Sequence, residues 1–319
     1  MRRRDFSVSL PFLALAGCSQ RSRKRVAVIP KGTSHIFWLT VQAGAMAAGE
    51  QFGLDIEWNG PAQETEFARQ IQIVDSMIAR RVDGIVLAAC DRKALVQPVD
   101  RAMAAGIPVT IFDSGLDSEN YTSYVATDNV EAGRMGGRTL GKLLGGKGTV
   151  AVVMHVPGSV STMDRESGFD EVMAREFPGI RIVQKLYGMS DRAKAMAAAE
   201  NILTAHPDLS GLFASTEPST TGTILALKAR GLNGKVKLVG FDSNDAMIED
   251  LRGGALDALV VQDPFKIGFE AVRTIADKLA GKTPGRRMDL AARVVTRDNV
   301  ETPEIRALLK PDLKNRLRP

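Results

Sequence analysis

Short apolar runs alternate with longer stretches of helical periodicity from Arg25 onward. The short runs are typical of buried strands, and the longer stretches, whose apolar residues recur every three or four positions, are typical of helices. Stop signals such as Gly53 and Gly106 end the helical stretches. Strands separated by helices predict an α/β fold with parallel sheets and right-handed crossovers. The first set of predicted strands is 26–29, 54–58, 85–88 and 108–112, with helices at 37–52, 64–80 and 93–105.

The same alternation repeats in the second half of the chain, after a link at 121–129 and a helix at 130–144. Val26 and Val150 are 124 residues apart, and Phe112 and Phe241 are 129 apart. This offset far exceeds the period of stacked repeats, so a whole domain is duplicated. The remaining predicted elements must cover sheet edges or cross back between the two halves. They are a helix at 265–280, a strand at 291–296 and a helical tail from Pro303. The second set has strands at 150–154, 180–186, 211–214, 236–241 and 256–261, and helices at 163–177, 191–205, 218–230 and 245–252.

One phrase occurs in both halves: an apolar strand that ends in Phe-Asp-Ser. It aligns Asp113 with Asp242, each following a predicted strand. Open parallel sheets bind ligands outside the carboxyl ends of their strands, so each carboxylate is a candidate ligand group. Two such ends predict two sheets that face each other across one site. The alternative is that each aspartate caps the following helix.

The amino terminus is an export signal rather than a fold element. Three arginines precede a mostly apolar run at 6–16, which ends in Leu-Ala-Gly-Cys18. The run is too short to span a bilayer, and its end resembles the bacterial lipobox, whose cysteine is acylated. Cys18 is therefore predicted to anchor a periplasmic protein to the membrane. An ordinary cleaved signal remains the alternative, and Arg3-Arg4-Asp5-Phe6 also resembles part of a twin-arginine signal.

Composition allows two domains of ordinary size. The chain has 319 residues, of which 44% are hydrophobic and 25% charged, with a net charge of +5. Removing the four charged residues of the export signal leaves about +3. The basic tail at 310–318 carries no interleaved aromatic residues, so nucleic-acid binding is not predicted. With Cys18 acylated, only Cys90 remains, and no intrachain disulfide can form.

Signatures of catalysis are absent from the sequence. The turn at 30–34 holds one glycine where a dinucleotide site needs three, and 141–148 approximates a P-loop but precedes a strand. The three histidines form no metal-ligand pair, and no G-x-S-x-G elbow occurs. His155 follows a strand and is interpreted as structural, although it could edge a cleft. Neither an enzyme, a cofactor nor a metal is predicted, and residues 1–24 are too few for a regulator's helix-turn-helix.

A set of motifs in fixed order resembles the ribose-type periplasmic binding proteins, whose fold lactose-repressor-like effector domains share. The resemblance covers residues 25–297 and implies two Rossmann-like lobes of the periplasmic binding protein type I fold, joined by a three-strand hinge. Such proteins close over one small ligand and present it to the permease of an ABC importer. The motifs are Phe37-Trp38, PVTIFDS (108–114), ATDN (126–129), RESGF (165–169), Asp191-Arg192, ILTAHPD (202–208), VGFD (239–242) and Gln262.

The resemblance also implies the lobe boundaries. Residues 1–24 form the lipoprotein signal and linker. The N-terminal lobe comprises 25–127 and 263–290, and the C-terminal lobe comprises 128–262 and 291–319. The chain then crosses between lobes near Thr127, near Gln262 and just before Ala291.

Ten candidate ligand-binding residues follow from matches to the family and departures from it. The matches are polar groups and a stacking pair, and the departures replace an asparagine, an arginine, an aromatic residue and a second asparagine. The matches are Phe37, Trp38, Asp113, Arg165, Asp242 and Gln262, and the departures, in the order just given, are His35, Ser114, Ser190 and Thr216.

The departures argue against ribose itself. Ser190 removes one stacking face, so the ligand is held on one side or Met189 substitutes. Ser114 leaves Arg165 as the only cation at the matched positions, which favours a neutral monosaccharide, polyol or cyclitol. A monomer that partners an ABC permease is expected. The alternative is a lipoprotein that presents a sugar-like signal to a chemoreceptor or sensor kinase.

Overall fold

Strands and helices alternate along the computed structural model, which describes residues 23–310. The strands are β1 (Lys24–Ile29), β2 (Leu54–Trp58), β3 (Gly84–Leu87), β4 (Val109–Phe112), β5 (Ser123–Thr127), β6 (Gly148–Met154), β7 (Ile180–Tyr187), β8 (Gly211–Ala214), β9 (Lys237–Phe241), β10 (Ala258–Val261), β11 (Arg287–Leu290) and β12 (Arg293–Thr296). The helices are α1 (Ile36–Phe52), α2 (Phe67–Ala79), α3 (Val96–Ala104), α4 (Asn129–Leu143), α5 (Val160–Arg175), α6 (Arg192–Ala205), α7 (Glu217–Ala229), α8 (Asp245–Gly253), α9 (Pro264–Leu279) and α10 (Pro303–Leu309).

The strands form two six-stranded sheets of matching order. The first is β11-β5-β4-β3-β1-β2, and the second is β12-β10-β9-β8-β6-β7. The strand ladders between residues 23 and 310 are parallel, except that β12 runs antiparallel to β10. Phe112 pairs with Val125 in one sheet and Phe241 with Val260 in the other. The predicted α/β fold with two duplicated sheets is confirmed.

Three crossings connect the two sheets, and we call the elements packed on each sheet the first and second lobe. The chain leaves the first sheet after Thr127, returns after Val261, and leaves again between Leu290 and Arg293. The helices that follow the first two crossings, α4 and α9, pack on the sheet that the chain has just entered. The three crossing segments are therefore the connections between the two lobes.

Two strands were missed from the sequence. The segment 121–129, predicted as a link, contains β5, and the strand predicted at 291–296 is preceded by a separate strand, β11. Both strands contain polar residues, which interrupt the apolar run that would have predicted them. β5 is fully buried because neighbouring segments take up its hydroxyls: the Ser123 hydroxyl donates to Gly285 O at 2.7 Å. β11 lies at a sheet edge, where half of its residues are exposed.

Close helix pairs hold each lobe together, and glycines make them possible. A Cβ on Gly44 of α1 would overlap the carbonyl of Phe265 at the start of α9. A Cβ on Gly133 of α4 would overlap the carbonyl of Arg165 on α5. The backbones therefore touch directly, and the second contact fixes the position of Arg165, a predicted site residue.

The predicted export signal, its lipid-anchor cysteine Cys18 and most of the basic tail lie outside the described residues. Between residues 23 and 310, no helix combines the length and the apolar character needed to cross a bilayer.

Candidate functional site

A small cavity lies between the carboxyl ends of the two sheets. Its volume is about 30 Å³, far below the roughly 300–1,000 Å³ of a typical small-molecule pocket. The two lobes are in direct contact beside this cavity, where Lys31 donates to Ser159 and Ser161 across the cleft. The lining comprises Lys31, His35, Phe37, Trp38, Glu64 and Asp113 from the first lobe, His155, Thr162, Arg165, Thr216, Glu217, Pro218 and Asp242 from the second, and Gln262 at a crossing.

The two strand-end aspartates occupy equivalent backbone positions. Asp113 and Asp242 have φ angles of 56° and 61°, in the left-handed region that aspartate tolerates better than most residues. Each backbone N–H donates across its sheet, to Val125 O and Val260 O respectively, at 2.9 Å in both cases. The turn directs both carboxylates to the same cavity.

Lys31 neutralises the carboxylates of the first lobe. Its Nζ lies 3.0 Å from Asp113 Oδ2 and 3.5 Å from Glu64 Oε2. It also donates to the hydroxyls of Ser159 and Ser161, across the cleft, at 3.2 Å each. Burial lowers the pKa of Lys31, but attraction to the two carboxylates outweighs it and raises that pKa above its usual value. Lys31 is therefore a buried cation that contacts both lobes.

A chain of hydrogen bonds crosses the cavity from Trp38 to Thr216. The Trp38 indole donates to Glu64 Oε1 at 3.0 Å, and Glu64 Oε2 lies 3.0 Å from His155 Nε2. The other ring nitrogen of His155 is 3.2 Å from the Thr216 hydroxyl. Burial raises the pKa of Glu64, but Lys31 and His155 lower it well below its usual value; burial also lowers the pKa of His155. If His155 is neutral and donates from Nε2 to an ionised Glu64, its Nδ1 accepts from the Thr216 hydroxyl. Each group in this chain of hydrogen bonds then has a partner.

Arg165 is held rigidly in the second lobe. Its Nε donates to Asn129 Oδ1 at 2.8 Å and its Nη1 to Ser215 O at 3.1 Å. The guanidinium carbon stacks 3.9 Å from the centre of the Phe241 ring. The side chain is buried and forms part of the cavity wall.

Asp242 is paired with neutral donors. Its Oδ1 accepts from Gln262 Nε2 at 2.7 Å, and its Oδ2 accepts from the backbone of Glu217 at 3.3 Å. Gln262 in turn accepts from the Thr127 hydroxyl at 2.7 Å, so two of the crossing segments meet here. Burial raises the pKa of Asp242, and Arg165 and Gln262 offset only part of that rise.

The apolar wall comes from one lobe. Phe37 and Trp38 pack edge to face with centroids 4.9 Å apart, and Trp38 packs edge to face on Phe112. The phenylalanine and tryptophan side chains among the described lining residues all belong to the first lobe. Met189, the suggested substitute for a second stacking face, is not in the lining.

Eight of the ten predicted site residues line the cavity, and two do not. Ser114 is buried beside it, where its Oγ accepts from the Ser161 backbone N–H at 3.4 Å. Ser190 lies 3.2 Å from the ring of His35 and thus links the lobes. Both residues lie in loops beside the cavity, but their side chains contact residues of the opposite lobe. Their predicted ligand role is untested.

Four charged or titratable residues of the lining were missed or undervalued: Lys31, Glu64, His155 and Glu217. Three of them follow the carboxyl ends of β1, β6 and β8, which is the signal that singled out the aspartates. His155, interpreted from sequence as structural, lies in the cavity wall. Glu64, in the loop before α2, gave no local signal.

Comparison with known proteins agrees with this geometry. Residues 26–283 match the model of the periplasmic binding protein domain. The chain belongs to this family. Among curated members, the D-ribose/D-allose-binding protein of Pseudomonas aeruginosa is 32% identical over 275 residues, which cover 84% of this chain and 86% of that protein. The ribose import binding protein of Bacillus subtilis is 30% identical, covering 69% and 70% of the two chains.

Solved structures of periplasmic binding proteins superpose closely. A carbohydrate transporter solute-binding protein from Agrobacterium radiobacter, in complex with D-arabinose, gives a TM-score of 0.88 at 32% identity and covers 91% of this chain and 100% of its own. An ABC transporter solute-binding protein from Agrobacterium vitis, with bound D-fucose, gives 0.87 at 35% identity and covers 90% and 100%. The resemblance noted from sequence is confirmed for family and fold.

Proposed function

We propose that this protein is the solute-binding component of an ABC importer and that it binds a neutral monosaccharide, polyol or cyclitol between its lobes. The observation that supports this proposal most directly is that Asp113 and Asp242, from opposite lobes, line one cavity beside an aromatic wall. Sugar hydroxyls both donate and accept, so carboxylate, guanidinium and amide groups match them, while ring C–H groups pack on Phe37 and Trp38.

The pairing of the cations argues for a neutral ligand. Lys31 lies between two carboxylates, and Arg165 already donates to Asn129 and Ser215. Both cations of the described lining are thus engaged within the protein, whereas four carboxylates line the same cavity. An anionic ligand would meet net repulsion there.

Closure is proposed to convert binding into a signal for the permease. Contacts such as Lys31 to Ser159 and His35 to Ser190 exist only when the lobes meet. A ligand that contacts both strand-end aspartates has higher affinity for the closed form, and this difference shifts the population.

The relatives favour the importer over the sensor alternative, because their names state ribose import in one case and carbohydrate transport in another. Family members are periplasmic or extracellular. For this chain we propose a periplasmic monomer, attached through acylated Cys18, without a cofactor or nucleic-acid partner. Replacing Cys18 with serine should release the protein from the membrane fraction, and unchanged membrane association would contradict the anchor.

The ligand class is tested by mass spectrometry of small molecules that co-purify and by thermal-shift screening. The screen uses D-ribose, D-allose, D-arabinose, D-fucose and myo-inositol, with D-galacturonate as the anionic control. We expect at least one neutral compound to raise the melting temperature and, at saturation, to reduce the radius of gyration in small-angle scattering. Stabilisation by galacturonate alone, or no compaction, would contradict the proposal.

A further inference from the structure

We propose that Glu217 is a specificity-determining residue that accepts a hydrogen bond from a ligand hydroxyl at the His35 side of the cavity. This inference rests on the proposed function and names a contact that neither the sequence motifs nor the relatives indicate. Glu217 is the third residue after β8 and the first of α7, and its side chain is 1% exposed.

The two oxygens of Glu217 have different surroundings. Oε1 accepts from Arg192 Nη2 at 2.7 Å, from the Thr221 hydroxyl at 3.0 Å and from the Asn244 amide. Oε2 is buried and has no hydrogen-bond partner. His35 Nδ1, from the opposite lobe, lies 3.8 Å from it, which is beyond hydrogen-bond distance.

The unpartnered oxygen cannot find a partner by rotation. Three donors fix Oε1, so the carboxylate plane is set and Oε2 has one direction. An ionised carboxylate oxygen only accepts, and burial without a donor is costly, so the site is complete only when a donor arrives. Because Glu217 lines the cavity, the ligand is the group that can supply that donor.

Glu217 is distinct from the other cavity carboxylates in this respect. Asp113 Oδ2 also lacks a hydrogen bond, but it lies 3.0 Å from the Lys31 ammonium. Both oxygens of Asp242 and both of Glu64 have donors or a histidine within 3.3 Å. Of the two lining carboxylate oxygens that are buried without a hydrogen bond, Asp113 Oδ2 lies against a lysine and Glu217 Oε2 does not.

The expected donor is a hydroxyl rather than an ammonium group. Arg192 already neutralises Glu217 through Oε1, so a second cation would bring excess positive charge to this end of the cavity. A ligand hydroxyl between Oε2 and His35 would be held from both lobes. The predicted ligand therefore carries a hydroxyl here in addition to those that reach Asp113 and Asp242.

The test is Glu217→Gln, measured by isothermal titration with whichever sugar of the D-ribose, D-allose, D-arabinose and D-fucose panel binds the wild type most tightly. The glutamine oxygen should take the three-donor position of Oε1, which places the NH2 group where Oε2 was and turns an acceptor into a donor. We expect affinity to fall about ten- to a hundredfold. The matched control is Glu171→Gln in the same lobe, because Glu171 pairs with Arg134 at 2.7 Å and does not line the cavity; we expect its affinity to stay within about threefold.

A second measurement separates ligand contact from a structural role. Single-position deoxy analogues of the same sugar are titrated into both proteins. One analogue should bind the wild type more weakly but lose no further affinity in Glu217→Gln, since the two changes remove the same bond. Glu217→Asp, which withdraws the carboxylate by one methylene, repeats the cycle if Glu217→Gln does not fold.

Three outcomes would overturn the inference: Glu217→Gln binding within twofold of wild type, equal losses in Glu217→Gln and Glu171→Gln, or additive losses for every deoxy analogue. If an analogue with an amino group in place of the hydroxyl at Glu217 bound the wild type more tightly than the parent sugar, the hydroxyl assignment would be overturned. If the wild type binds no sugar of the panel, the proposed function fails instead.

Discussion

The two lobes place equivalent carboxylates in opposite electrostatic settings. In the first lobe, Lys31 contacts both Asp113 and Glu64, and the pKa of Glu64 is well below its usual value. In the second lobe, Asp242 and Glu166 have mainly neutral donors, and burial raises the pKa of both, that of Glu166 to about 7. Duplication therefore preserved the backbone position of the carboxylates but not their charge partner.

The difference affects which buried carboxyl groups are ionised near neutral pH. In the first lobe, Glu64 stays ionised over the physiological pH range, and a buried lysine stabilises it. In the second, burial raises the pKa of Glu166 to about 7, so the protonation of this group changes near neutral pH. The following predictions, from the largest expected effect to the smallest, test whether the lobes differ in this way.

Replacing Lys31 with methionine should cause the largest loss of stability among these changes. It leaves Asp113 and Glu64 buried without their cation, and removing one partner of a buried ion pair costs about 3–5 kcal/mol. The free energy of unfolding in urea at pH 7 measures the loss. The exposed Lys235→Met is the control and should change stability by no more than about 0.5 kcal/mol. A loss below about 1 kcal/mol for Lys31→Met would mean that the first lobe does not depend on this charge.

Glu166 should make the second lobe less stable as pH rises. Its Oε1 accepts from the His155 backbone at 3.1 Å and the Ser215 hydroxyl at 2.9 Å. Because burial raises the folded-state pKa from 4.5 to about 7, the fold favours the protonated form. That stability is fully present below about pH 4.5 and is lost as pH rises through about 7.

Urea unfolding of wild type and Glu166→Gln between pH 4.5 and 7.5 tests this. The wild type should lose at most about 3 kcal/mol relative to the variant over that window, at 1.36 kcal/mol per pKa unit. The subtraction cancels His155, whose lowered pKa acts in the opposite direction as pH falls below its usual 6.5. Parallel stability curves for the two proteins would show that Glu166 is ionised throughout.

Replacing either strand-end aspartate with alanine should weaken sugar binding about ten- to a hundredfold, since a bond to a charged group contributes roughly 1.5–3 kcal/mol. Asp113→Ala should also destabilise the free protein, because Lys31 loses a partner, whereas Asp242→Ala should mainly affect binding. Calorimetry and urea unfolding separate the two effects, with the exposed Asp298→Ala as control. Near wild-type affinity for Asp242→Ala would remove that residue from the site.

The smallest expected effect is that of Thr127→Val. The Thr127 hydroxyl donates to Gln262, which orients Asp242. Losing one neutral hydrogen bond costs about 0.5–1.5 kcal/mol, so affinity should fall about two- to tenfold. Thr110→Val removes a comparable buried hydroxyl contact with Thr274, at 2.7 Å, away from the cavity. It should lower stability and leave affinity unchanged, and equal affinity losses would show that Thr127 acts only through the fold.

The sequence by itself determined the α/β class, the duplication and the positions of Asp113 and Asp242. Hydrophobic periodicity is a local property of strands and helices, and a polar residue directly after a buried strand lies at the sheet edge in any parallel arrangement. The sequence pattern did not reveal β5 or β11. A strand whose polar groups form hydrogen bonds with distant segments, as Ser123 does with Gly285, lacks the run of apolar residues by which a buried strand is predicted.

Only the tertiary structure decided which charges meet. Lys31, Glu64 and His155 come from three different loops and Glu217 from the start of α7, and all four line one cavity between the lobes. No spacing along the chain encodes these distances. The side-chain contacts of Ser114 and Ser190, which reach Ser161 and His35 of the opposite lobe, likewise depend on the tertiary arrangement. Charge pairing falls off over a few ångströms, so it depends on the three-dimensional arrangement, whereas the pattern of buried positions can be read along the chain.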